Sequence, residues 1–88
     1  MTHGPCAHAA GIADPAPRTP DGCEECLLIG DDWVHLRLCE ACGHVGCCDS
    51  SKNKHATKHY HTTHHPVIRS LETGEFWKWC YVHEAMWE

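Results

Sequence analysis

The sequence predicts a small α+β domain. It has a short antiparallel sheet, one main helix over about residues 52–64, and a tail, His83 to Glu88, able to start a C-terminal helix. Three observations carry this reading. The chain has 88 residues, enough for one domain and one small core. Two stretches alternate with period two, as strands do. One stretch lies between helix-starting and helix-stopping residues.

Taken in order, residues 1–22 read as an irregular arm. They hold four of the five prolines (Pro5, Pro15, Pro17, Pro20) and three glycines, which punctuate rather than build elements. Trp33 to Leu38 alternates, with Val34, Leu36 and Leu38 on one side of a half-buried strand. Cys39 to Cys42 reads as a turn closed by Gly43, and His44 to Gly46 as a second short strand. Asp49, Ser50 and Ser51 offer N-cap oxygens for the helix, and Pro66 ends it. Pro66 to Leu71 reads as a strand and Glu72 to Glu75 as a turn. In Phe76 to Val82, Trp77, Trp79 and Tyr81 alternate against Lys78, Cys80 and Val82.

Composition then poses a problem. Leu, Ile, Val and Phe number only 13 of 88 residues, against eight Cys and ten His. So few aliphatics cannot offset a backbone ordering entropy of about 1–2 kcal/mol per residue. Something must staple the chain. Met1 to Gly11 has neither a basic nor an apolar signal region, so export to an oxidising compartment is not indicated and a cytoplasmic location is expected. No apolar run approaches the roughly 20 residues of a membrane span. With His enriched alongside Cys, the expected staple is zinc. A formal charge of −5 argues against nucleic acid as a partner.

The spacing supports metal. Cys23-Glu-Glu-Cys26 and Cys39-Glu-Ala-Cys42 are C-x2-C knuckles, which can bring two thiolates to one tetrahedral ion. His55 and His59 share a helix face at i and i+4. Ala56 stands where a metalloprotease helix needs its Glu base, so that chemistry fails. Cys80-Tyr-Val-His83 and Cys6-Ala-His8 supply two donors each and together make four. A zinc there would tie the N-terminal arm to the last strand. By itself, spacing leaves His55 and His59 free to share one ion.

These residues resemble the UBP-type zinc finger, and among its members the short stand-alone bacterial ones. The resemblance runs from Cys6 to about Glu84. It is carried by C-x-H (Cys6, His8), the C-x2-C pairs, the Trp33 strand, C-x2-C-G-H-V-G-C (Cys39 to Cys47), H-x3-H with a final His65-Pro66, and the Trp79 to His83 segment. It implies a single domain, with 23–88 as the finger and 1–22 as the arm held through Cys6 and His8. It also implies three zinc ions: Cys6, His8, Cys80 and His83 on the first; Cys23, Cys26, Cys47 and His55 on the second; Cys39, Cys42, His59 and His65 on the third. Position 83, Cys in a deacetylase-type pattern, is His here.

Sites with four protein ligands are structural, so no enzyme activity is expected. The expected function is recognition of a protein or peptide, with a free C-terminus as one form, by a monomeric module. The resemblance implies a pocket walled by Trp33, Trp79 and Tyr81. Relatives place Gly-Arg after the knuckle cysteine, where this chain has Cys48-Asp49. An aspartate repels a carboxylate, which argues against ubiquitin itself as the ligand. The alternatives are a zinc-stabilised accessory or regulatory domain, and a thiol redox sensor acting through Cys48.

Overall fold

A computed structural model describes residues 15–88. The order of elements is α1 (Glu24–Ile29), β1 (Leu36–Cys39), β2 (Val45–Cys47), α2 (His55–Thr63), β3 (Val67–Ser70), β4 (Lys78–Cys80) and β5 (Ala85–Trp87). The strands form one antiparallel sheet in the order β2-β1-β3-β4-β5. Both helices pack on the β2 end of it.

The alternating segments became strands. Leu38 pairs with Val45 on one side and Arg69 on the other. Ile68 pairs with Trp79. The helix expected over 52–64 runs from His55 to Thr63. The oxygens expected to cap it act elsewhere. Asp49 accepts from Thr57 Oγ1 at 2.6 Å, and Ser51 Oγ accepts from the Val34 N–H at 2.8 Å. The first helical N–H, that of His55, instead donates to Cys47 Sγ at 3.1 Å. A sulfur therefore stands in for the usual capping oxygen.

One expectation is corrected, and one element is new. The tail is not a helix: Ala85–Trp87 is β5, with Trp79 opposite Met86 and Cys80 opposite Ala85. Six residues cannot nucleate an isolated helix, whereas the open edge of β4 offers hydrogen bonds at once. The first knuckle carries a helix, α1, that the sequence reading did not include. Cys23 Sγ accepts from the Cys26 N–H at 3.5 Å at its start. Gly30, at φ 71°, closes its end in the left-handed conformation.

The apolar interior is small. Of the eleven buried apolar side chains among the described residues, six are cysteines: Cys23, Cys26, Cys39, Cys47, Cys48 and Cys80. The aliphatic remainder is Leu38, Val45, Val67, Ile68 and Ala56. Even a carboxylate, Glu40, is buried, beside Arg69 at 3.6 Å. The centre of this fold is thus made of metal-ligating residue types, as the shortage of aliphatics required.

Candidate metal centres and the aromatic pocket

Among the described residues, two groups of four donors come together. Cys23 caps α1, Cys26 lies within it, Cys47 ends β2 and His55 begins α2; their donor atoms lie within 4.8 Å of one another. Cys39 ends β1, Cys42 follows in the turn, His59 is one turn along α2 and His65 precedes β3; these four meet the same limit. A tetrahedral zinc, with Zn–S of about 2.3 Å and Zn–N of about 2.0 Å, spaces its donors by about 3.6 Å for S···N and about 3.8 Å for S···S. In the first group His55 Nδ1 lies 3.2, 3.4 and 3.6 Å from the sulfurs of Cys23, Cys26 and Cys47, and Cys26 and Cys47 are 4.0 Å apart. In the second, Cys39–His65 is 3.6 Å and Cys42–His59 is 3.4 Å. All these cysteines are free thiols rather than disulfides. The residues fit zinc.

Electrostatics agree. Burial pushes the Cys23 thiol up to about 12, so its thiolate is stable there only beside a cation. Burial, with the His44 and His65 rings nearby, brings His59 down to about 4, keeping it neutral and able to donate a lone pair at pH 7. Asn53 Nδ2 lies 3.7 Å from Cys26 Sγ and donates to Asp31 at 2.9 Å.

His44 links the two groups. It is buried, and its Nε2 meets the Glu25 carboxylate at 2.7 Å. Its ring stacks on His59 with centroids 3.9 Å apart and planes within 4°. Glu25 Oε1 in turn lies 3.9 Å from Cys23 Sγ. Such outer contacts fix ligand orientation.

Cys80 Sγ and His83 Nδ1 stand 3.6 Å apart, the spacing of donors on one ion. Cys6 and His8, expected to complete that set, lie outside the described residues. Cys48 belongs to neither group. Burial raises its thiol, but contacts with Ser51, the Ser50 backbone and His35 outweigh this and bring it to about 7.

A shallow pocket of about 200 Å³ lies beside α2, lined among others by Arg37, Asp49, Trp77, Trp79, Tyr81 and Met86. Of the four residues expected at a binding pocket, Asp49, Trp79 and Tyr81 meet here. Trp33 does not line it, and packs with Leu36 against the Cys23, Cys26 and Cys47 group. Tyr81 stacks on Tyr60 at 4.6 Å, and its hydroxyl lies 3.2 Å from Thr57 Oγ1, the group that holds Asp49. The guanidinium of Arg37 lies 4.5 Å over the Trp77 ring.

Sequence reasoning missed Arg37, Trp77 and Met86 as pocket residues. Trp77 was findable, because it shares the period-two face of Trp79 and Tyr81. Arg37 was not, because only the sheet order brings β1 within reach of β4 across β3. Likewise, Met86 reaches the pocket only because β5 pairs with β4.

Fold and donor geometry define a zinc-finger domain. The family described as "Zn-finger in ubiquitin-hydrolases and other protein" matches residues 23–88, and the chain belongs to it. BRCA1-associated protein of Homo sapiens and that of Mus musculus are each 32% identical to it over 75 residues, covering 82% of this chain. The chain spans only 12% of the length of those relatives. The solution NMR structure of protein RPA1320 from Rhodopseudomonas palustris is 56% identical, with a TM-score of 0.90, covering all of this chain and 84% of that one. Among the described residues, no helix is long and apolar enough to cross a membrane.

Proposed function

We propose that this domain is a non-catalytic recognition module, folded by three closed zinc centres, whose aromatic pocket takes a short segment of a partner protein. Cys23, Cys26, Cys47 and His55 hold one ion, and Cys39, Cys42, His59 and His65 another. Cys80 and His83 hold the third with Cys6 and His8. Each ion has four protein donors and no place for a reacting water, so its role is folding energy.

The observation that carries the recognition reading is Arg37 in the pocket. Asp49 alone would repel a chain-terminal carboxylate. Arg37, 4.5 Å over the Trp77 ring, supplies the cation that a carboxylate needs. Trp79 and Tyr81 wall a cleft of about 200 Å³, sized for small residues rather than large side chains. The partner is therefore a peptide or protein offering a slim, carboxylate-ended tail, and Asp49 disfavours strongly acidic tails such as those with a neighbouring Asp or Glu.

Two measurements test this. A native mass spectrum of the full chain is expected to show three zinc ions; two would remove the Cys6, His8, Cys80 and His83 site. An NMR titration with Gly-Gly-ending peptides is expected to shift the Trp79, Tyr81 and Arg37 resonances with the free acid. Arg37→Ala should weaken that binding by about tenfold, the usual loss of one charge-assisted contact. Equal binding of the amide form would sink the carboxylate role.

A further inference from the structure

We propose that the protruding end of α1, together with the notch beside Trp33, is a second docking surface for a protein segment that sets apolar side chains among lysines and arginines. It is independent of the aromatic pocket, with which the notch shares no lining residue.

The apolar half of this surface is α1 itself. Leu27, Leu28 and Ile29 are 51%, 83% and 61% exposed in a domain that buries few aliphatics at all. Consecutive helical residues step by about 100°, so these three cover most of the helix circumference. Cys26 is the one buried residue of α1, so its three apolar side chains all face outward. Beyond it, no atom lies within 4 Å of a Cβ placed on Gly30. Large contiguous apolar exposure of this kind marks interaction surfaces.

The patch continues into an aromatic notch. A Cβ on Gly22 would lie 2.6 Å from the Trp33 indole and 3.2 Å from Leu27 Cδ1, so ring and leucine meet over that glycine. Past the ring, Asp31, Asp32, Val34 and Lys52 complete a notch of about 260 Å³ with Trp33. Val34 is 54% exposed.

Charge selects the occupant. Asp31 is engaged by Lys52 at 3.1 Å and by Asn53 at 2.9 Å. Asp32 is exposed, and among the described residues its carboxylate has no hydrogen-bonding or ionic partner. A guanidinium or ammonium entering the notch would meet this carboxylate and the Trp33 ring together. Anionic lipid and nucleic acid would be opposed by the Asp32 carboxylate and by the chain's net charge of −5. A second copy, with its own net charge of −5, would be opposed as well. A basic, apolar protein segment is what remains.

The test uses the full zinc-loaded chain and two synthetic peptides. Both carry Leu at helical spacing, one with Lys and the other with Glu between. In NMR titrations the Lys peptide is expected to shift the amides of residues 27–34 and the Trp33 indole. The double variant Leu28→Ser, Ile29→Ser should weaken binding on the order of tenfold, as for central interface residues. Asp32→Asn should weaken it about threefold and flatten its salt dependence. These side chains are exposed, so both variants should keep the parent's spectral dispersion. Equal binding of the Glu peptide, shifts elsewhere, or an unaffected double variant would overturn the proposal. So would concentration-dependent shifts of the same amides without peptide, which would make a second copy the occupant.

Discussion

Cys47→Ala is expected to abolish the folded state rather than merely weaken it. Cys47 is fully buried, 3.6 Å from His55 Nδ1 and 4.0 Å from Cys26 Sγ. It also accepts the first N–H of α2. Its loss removes one of four donors and the acceptor that starts the helix in the same step. Structural zinc contributes about 10–16 kcal/mol in finger peptides, while a whole domain is stable by about 5–15 kcal/mol. The aliphatic interior of Leu38, Val45, Val67 and Ile68 cannot make up the difference. Far-ultraviolet circular dichroism and amide dispersion, both recorded with zinc present, check this. A dispersed, parent-like spectrum would show that the cluster is not what holds the fold.

Gly46→Ala is the second large effect, and it involves no ligand. Gly46 lies in the middle of β2, where a Cβ would come 2.5 Å from Ala56 N and 2.7 Å from Ala56 Cα. Both are backbone atoms of α2, so no side chain can turn aside to make room. The close approach has a purpose: it sets His55, next to Ala56, against Cys47, next to Gly46. A methyl group would push α2 off the sheet, and metal geometry tolerates only about 0.2 Å. The expected cost is about 3 kcal/mol, or a melting temperature lower by roughly 15 °C for a domain of this size. A melt within a few degrees of the parent would mean that α2 can slide without disturbing the cluster.

The donor pairs were legible because knuckles are local. In C-x2-C, two donors three residues apart can reach one ion wherever the rest of the chain goes. Strands β1 and β4 were legible for a similar reason: period-two alternation at Trp33 to Leu38 and Phe76 to Val82 is written residue by residue. Helix α1 was not, because it has only six residues and its apolar side chains face water. It is held by its ends, a cysteine sulfur at the start and a left-handed glycine at the finish. Strand β5 was not legible either, since three residues carry no period and only the free edge of β4 makes Ala85–Trp87 extended.

The pocket divides along the same line. Trp79 and Tyr81 share a face because alternation says so. Whether Trp33 would join them depended on packing, and packing placed it against Cys23, Cys26 and Cys47 instead. Asp49, which sets this chain apart, lines the same pocket as Arg37, a neighbourhood that no spacing could reveal.

By itself, then, the sequence determined what holds this protein together: many Cys and His in short-range pairs, few aliphatics, and hence zinc as the staple. Tertiary structure decided how those pairs were shared. His55 and His59 lie one turn apart on one helix face, yet one meets the cysteines of α1 and β2, and the other those of β1 and its turn. The physical reason is reach. A knuckle supplies half of a tetrahedron locally, but the other half comes from whichever distant element the sheet and helix bring within about 4 Å.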